Sequence, residues 1–187
     1  MMKKFKTVAL LLLLISCGSD PIVIPKPPSY LRADLPQHSY NTFSDRCPYS
    51  FEKSKVYTVK EVSVENCHKD IDLGPVNGVI HFSYIDMTES LGSYVNFAND
   101  KVDEHKLKAT AIIDTKILHP EKKVFGTFFE LKGDVATPFQ FYLTDSTTRF
   151  VSGVVYLNTK PNYDSLKPTL DYLKEDLFKM VNTFEWK

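Results

Sequence analysis

The chain has 187 residues, 43% hydrophobic, 25% charged and 13% aromatic, with 23 basic and 23 acidic side chains. That length allows one compact domain plus appendages, and the composition excludes a disordered chain, a collagen-like chain or a disulfide-dense miniprotein. The even charge balance offers no basic surplus for nucleic acid.

The N-terminus reads as an address. Met1 to Lys6 carries three lysines and no acid, and Val8 to Ile15 is an unbroken apolar run of eight residues. A spanning helix needs about 20, whereas a basic region followed by a short apolar one marks a secretory signal. Leu14-Ile15-Ser16-Cys17 follows the lipobox order of aliphatic, variable, small, then cysteine. The thiol of Cys17 would become a thioether carrying diacylglycerol, and cleavage would free its amine for acylation, palmitate being a chain of the expected kind. At about 0.8 kcal/mol per buried CH₂, two or three such chains anchor effectively permanently. Residues 1–16 are thus expected to be removed, leaving 20 basic against 23 acidic side chains and a net charge of −3. Residues 17–29, with Pro21, Pro25, Pro27 and Pro28, read as a semi-rigid tether, and residues 30–187 as a single α+β domain. Gly18 stands where the enteric inner-membrane signal would place Asp, which favours a periplasm-facing protein on the outer membrane over the inner.

Cys47 and Cys67 are left as an even pair in an oxidising compartment, which favours a disulfide. Two free thiols, or a metal site using His68, are the alternatives; neither cysteine belongs to a C-x-x-C pair.

Along the chain, Leu31 to Phe43 reads as an arm or edge strand. Tyr49 to Lys53, Val56 to Val64 and Cys67 to Leu73 read as strands, followed by a turn at Asn77-Gly78. Ile80, Phe82 and Tyr84 then alternate with Val79, His81 and Ser83, the period of a half-buried strand. Met87, Leu91, Tyr94, Val95, Ala98, Val102 and His105 recur at helical spacing over Asp86 to Leu107, with Asp86 and Glu89 as a capping-box-like start. Strands are expected at Ala109 to Asp114, Lys123 to Lys132, Phe139 to Thr144 and Phe150 to Leu157. A last helix runs from about Ser165 to Phe184, with Leu166, Leu170, Leu173, Leu177, Met180, Val181 and Phe184 as its stripe. Asp164 or Ser165 is its expected N-cap, Pro168 falls in its first turn, and Glu175 and Lys179 are spaced for an ion pair. The order of elements predicts an antiparallel sheet of about six strands flanked by helices. It is similar to the PsbP-like α-β-α sandwich, a binding and assembly fold.

No phosphate cradle, nucleophile elbow or zinc-protease motif is present, and the five histidines are scattered. The expectation is a non-enzymatic protein with no cofactor and no metal. Asp70 and Asp72 share a strand face and read as solvated; Asp145 and Asp164 read as turn or cap residues. The aromatic strands read as core. Gln140, Tyr142 and Thr144 are expected to point outward and, with Asp145 and Ser146, to form a polar ridge for a protein partner. The loop holding Lys160, Asn162, Tyr163 and Asp164 is expected to join it. A ligand-binding envelope lipoprotein, holding lipid or glycan between the aromatic sheet and a helix, is the alternative.

Several segments carry a resemblance. They are Lys26-Pro27, Tyr30-Leu31-Arg32, and Cys47-Pro48-Tyr49-Ser50-Phe51-Glu52 with Cys67 beyond. They continue with Pro120-Glu121-Lys122-Lys123-Val124-Phe125-Gly126, Gln140-Phe141-Tyr142-Leu143-Thr144-Asp145-Ser146, Lys160-Pro161-Asn162-Tyr163-Asp164-Ser165 and Trp186-Lys187. In this order, over nearly the whole mature chain, the sequence resembles the gliding-motility lipoprotein GldD family of the Bacteroidetes. The stretch between the cysteines matches less well. The resemblance implies an accessory role in gliding motility and the linked type IX protein secretion system, without enzymatic activity. It also implies assembly or stabilisation of envelope machinery, with the membrane protein GldE as a companion.

Overall fold

A computed structural model of the chain describes residues 34–187. The signal segment, Cys17 and the proline-rich tether lie outside the described residues. Two sheets are built from ten strands. β1 (Tyr40–Ser44) and β10 (Glu185–Trp186) flank β2 (Tyr49–Ser54) in the smaller sheet. The larger has seven strands in the order β3-β4-β5-β9-β8-β7-β6, every pairing antiparallel. These strands are β3 (Thr58–Glu61), β4 (Lys69–Asp72), β5 (Gly78–Asp86), β6 (Ala109–His119), β7 (Val124–Gly133), β8 (Phe139–Thr144) and β9 (Arg149–Leu157). Two helices complete the fold, α1 (Leu91–Asp103) and α2 (Tyr163–Thr183). The α+β class is as the sequence predicts, with one more strand in the main sheet and a second small sheet besides.

Neighbouring residues of a strand point to opposite faces, and the aromatic pairs of β7 and β8 show which helix lies where. Phe128, Phe139 and Phe141 join α2 and β2 in one core cluster, whereas Phe129, Tyr142 and Phe150 join Val102, Tyr94, Val95 and Ala98 of α1 in another. The large sheet is therefore sandwiched, with α1 on one face and α2 with the small sheet on the other. Phe141 lies across Gly153, its partner on β9, where even a methyl group would collide with the ring.

Local chemistry accounts for the elements. Ile80, Phe82 and Tyr84 of β5 are buried while His81 is exposed, the alternation read from sequence. Asn77 supplies the left-handed turn before it. The stripe of α2 is buried throughout, from Leu166 to Phe184. Its N-cap is Asn162, whose carboxamide oxygen accepts the Ser165 amide at 3.1 Å, so the helix begins earlier than the sequence predicts. Pro168 consequently falls inside the helix. Glu175 and Lys179 do not pair with each other: Glu175 faces His38 at 3.2 Å and Lys179 faces Glu52 at 2.7 Å. Tertiary partners outcompete an exposed i,i+4 pair worth only about 0.3–0.5 kcal/mol.

The middle helix also differs in its start. Asp86 ends β5, where its carboxylate accepts the Tyr84 hydroxyl at 2.6 Å, and Ser90 caps α1 instead. Gly92 thus sits in the first turn, and His105 lies just past the last, in the turn after the helix. On β4, Asp70 meets His81 of β5 at 2.7 Å and Asp72 meets Lys60 of β3 at 3.1 Å, a charged face without further convergence.

Candidate functional site

Cys47 and Cys67 are joined as a disulfide, their Cα atoms 5.6 Å apart. His68 beside it accepts the Tyr84 amide through Nδ1 at 3.1 Å. The bridge holds the segment before β2 against β4, and the Tyr49 hydroxyl adds a 2.6 Å bond to the Cys67 carbonyl.

That segment receives the C-terminal residues. Glu185 and Trp186 pair with Ser50 and Tyr49, and the Lys187 amide donates to the Pro48 carbonyl at 3.0 Å. The Lys187 ammonium reaches the Asp45 carbonyl at 2.6 Å. Trp186 lies edge-on to buried Phe184, and its indole N–H donates to the Lys123 carbonyl at 2.9 Å. Lys123 adopts a left-handed conformation at the end of the short 3₁₀ turn Pro120–Lys122, which turns that carbonyl toward the indole. Arg149 completes the group. Its guanidinium stands 5.9 Å from the Trp186 ring and donates to the Lys187 carbonyl at 2.9 Å.

Asp145 shapes the β8–β9 turn at the rim. One carboxylate oxygen accepts the amides of Thr147, Thr148 and Arg149 at 2.8–2.9 Å, and the other accepts the Thr148 hydroxyl at 3.0 Å. Partial burial pushes this carboxyl up, but the backbone N–H groups of Arg149, Thr147 and Thr148 outweigh it and hold it at about 2. The turn role read from sequence is therefore correct. A group depressed below its ordinary 3.8 stabilises the fold above that value, and the contribution is lost as pH falls toward 2. Asp145→Asn should lower stability at neutral pH and flatten its fall between about pH 4 and 2 relative to the parent protein. Chemical denaturation at stepped pH measures both.

Together these residues border an open cleft of about 410 Å³, lined by Glu121, Lys122, Lys123, Arg149, Glu185 and Trp186, among others. Its lining holds four basic and three acidic side chains, and Lys122 is already paired with Glu185 at 3.0 Å. This near-balance does not make an anion site. It offers an indole stacked with a guanidinium, surrounded by fixed charges of both signs. Trp and Arg are the side chains most enriched where one protein grips another.

The ridge expected from β8 is corrected. Gln140, Tyr142 and Thr144 are buried, at 5%, 9% and 3% exposure. β8 lies inside the sheet, and α1 covers the face that alternation alone assigns to solvent. Tyr142 stacks on Phe150 at 5.4 Å, and its hydroxyl oxygen accepts from Thr127 at 3.0 Å. Gln140 donates to Thr137 at 3.1 Å, and Thr144 donates to the Arg149 carbonyl at 2.7 Å. Of the ridge, Ser146 is exposed and Asp145 partly so, at the rim of the cleft.

The Lys160–Asp164 loop is elsewhere. It follows the far end of β9, so the strand's nine residues, about 30 Å, separate it from Asp145 and Ser146. Lys160, Asn162 and Asp164 are exposed there; Tyr163 packs partly on the core, its amide bonded to Asp134. The two predicted pieces do not form one surface. Arg149, Glu185 and Trp186 were not among the expected contact residues. The signal was present: the single tryptophan stands beside the C-terminal lysine in a segment that carries the family resemblance.

Sequence reasoning also missed His38 and Asp176. The Asp176 carboxylate is fully buried on α2 and accepts from Tyr57 at 2.6 Å, with His38 Nδ1 at 2.7 Å. The other imidazole nitrogen faces Glu175 at 3.2 Å, and the ring stacks on Tyr172 at 4.2 Å. With carboxylates on both nitrogens, the imidazole serves to fasten the arm before β1 onto α2.

Between α1 and the sheet lies a small apolar cavity of about 70 Å³, lined by Tyr94, Phe97, Phe129, Phe150 and Val154 among others. Among the described residues no helix is long and apolar enough to cross a membrane, and no group of three or more His, Cys, Asp or Glu side chains is placed to hold a metal ion.

The described residues form an α+β domain with an open, charge-balanced cleft beside its C-terminal strand. The model of the family described as gliding motility lipoprotein GldD matches residues 20–186, and the chain belongs to that family. A comparison with curated proteins matched none. Membership makes this a gliding-motility lipoprotein, held at the cell envelope by a lipid.

Proposed function

We propose that the protein is a non-enzymatic assembly factor of the gliding machinery and the linked type IX secretion system, stabilising envelope components through direct protein contacts. Cys17 carries the lipid, palmitate among its acyl chains, and the domain faces the periplasm, from the outer rather than the inner membrane. The membrane protein GldE is the companion that the family resemblance suggests. The observation that carries this reading is the Trp186–Arg149 cleft. Three segments of the resemblance line it, although they are far apart in sequence: Pro120–Gly126, Gln140–Ser146 through Asp145, and Trp186-Lys187; a fourth, Cys47–Glu52, lies behind it and pairs with Glu185 and Trp186. Anchoring reduces a three-dimensional search to a surface and raises effective concentration at the machine.

A ligand carrier is less well supported. Small-molecule pockets run from about 300 to 1,000 Å³, and the apolar cavity under α1 is far smaller, at about 70 Å³.

The test is complementation of a chromosomal deletion, scoring surface spreading and secretion of type IX cargo together. Cys17→Ala tests the anchor. Lys123→Asn with Thr147→Glu tests the cleft; both side chains are exposed, and Asn tolerates the left-handed conformation at Lys123. The expected result is loss of both phenotypes in the deletion and failure of each variant, at parental abundance, to restore them. Survival of both phenotypes in the deletion overturns the role, and full rescue by the cleft variant overturns the surface.

A further inference from the structure

β6 is a long edge guarded only by a bulge at its start and by the charges of Asp114 and Lys116. Among the described residues it pairs with β7 alone, and it runs for eleven residues. Long edges are normally shortened, broken by proline, covered or bulged, because their free N–H and C=O groups recruit other strands. Here the one irregularity lies at Ala109/Ala111, and Pro120 comes only after the strand ends. Most of the strand is exposed, including apolar Ile113 at 41% and Leu118 at 65%.

The sequence of this edge is complementary to itself. Ala111 to His119 reads A-I-I-D-T-K-I-L-H, nearly a palindrome in size and polarity and an antipalindrome in charge about Thr115. Two copies paired antiparallel about Thr115 would set each Asp114 opposite Lys116 of the other copy. Ile112 would meet Leu118, and Ile113 would meet Ile117. Registers centred on Asp114 or Lys116 instead place like charges opposite each other, which is destabilising. Registers centred on Ile113 or Ile117 leave both charges facing uncharged groups. Only the Thr115 register satisfies both pairs. In the single chain these two side chains have only each other along the strand, at 3.6 Å and more than half exposed, and a 3.3 Å bond from Lys116 to Thr127.

We propose that β6 docks a second copy of this chain, antiparallel about Thr115, so that the seven-stranded sheets become continuous. The two-fold axis then stands perpendicular to the sheet and keeps α1 of both copies on one side. Strand pairing alone makes a modest interface, and confinement by the lipid anchor supplies the effective concentration that it needs. This inference rests on the edge and on the lipid anchor of the proposed function, and is independent of the cleft.

The test uses full-length lipidated protein in membranes, with oxidant and non-reducing gels. Thr115→Cys places two thiols directly opposite each other. Ile113→Cys leaves its two copies about 13 Å apart along the strand, beyond disulfide reach. The expected result is at least about tenfold more dimer from Thr115→Cys than from Ile113→Cys, and a heterodimer when Ile112→Cys and Leu118→Cys chains are co-expressed. Lys116→Asp should lower the Thr115→Cys yield about tenfold, and adding Asp114→Lys should restore it. Equal yields from Thr115→Cys and Ile113→Cys, insensitivity to Lys116→Asp, or a cross-linked product of another mass would each overturn the proposal. The last outcome would give the edge to a different protein's strand.

Discussion

Asp176→Ala should destabilise the protein by about 3 kcal/mol, the cost of stranding buried partners rather than of losing one bond. The carboxylate is fully buried, and Tyr57, itself 2% exposed, donates to it at 2.6 Å. Removing the acceptor strands the buried Tyr57 hydroxyl and takes the partner from His38 Nδ1, whose other nitrogen keeps Glu175. The Tyr57 phenol is already pushed well above its ordinary range, first by burial and then by the hydrogen bond and charge of Asp176. Asp176→Asn keeps the volume and one acceptor and should lose about half as much. His38→Ala should cost about 1 kcal/mol, because His38 is partly exposed and its loss leaves Tyr57 bonded. Urea midpoints of the three variants test this order. Equal midpoints for Asp176→Ala and the parent would show that the cluster contributes nothing.

Replacing both Cys47 and Cys67 by serine should cost about 3 kcal/mol, from the loop-closure entropy of a bridge spanning 20 residues. The loss extends beyond the unfolded chain. Asp45 and Pro48 flank Cys47, and both carbonyls hold Lys187. Freeing Cys47 therefore loosens the floor on which Trp186 and Arg149 are set. The expected outcome is a lower urea midpoint together with weaker quenching-protection of the single tryptophan. A midpoint within error of the parent would show that the small sheet and Lys69, which is buried and bonded to Asp45 at 2.7 Å and Glu61 at 3.0 Å, hold this corner without the bridge.

Much of the fold was legible in the sequence, and the failures have a common cause. Alternation in β5 and the seven-residue stripe of α2 each identified a buried face, since each packs against one dominant core. Alternation in β8 identified two faces and wrongly left one to solvent. The missing information lay some fifty residues upstream, in the stripe Met87, Leu91, Tyr94, Val95 and Ala98 of α1, which needed a surface to cover and took that one. The caps of both helices were misplaced within a few residues, because Asp86 and Asp164 have the right chemistry but β5 and the Asn162 side chain claimed those positions first. The site was less legible than the fold. Asp145 was correctly read as a turn residue because its partners are within four positions, whereas His38 and Asp176 are 138 residues apart and no local pattern joins them.

The pairing of β5 with β9 and of β2 with β10 has a consequence for how the chain reaches this state. Each sheet is completed only by its last strands, and β10 returns across almost the whole described length to reach β2. Folding dominated by such distant contacts is slow and cannot proceed stepwise from the N-terminus. During export, the half that crosses first holds both β2 and β5 with open sides until Arg149 and then Trp186 have followed. Both sheets therefore close in a late step, the large one once β9 is present and the small one only with β10.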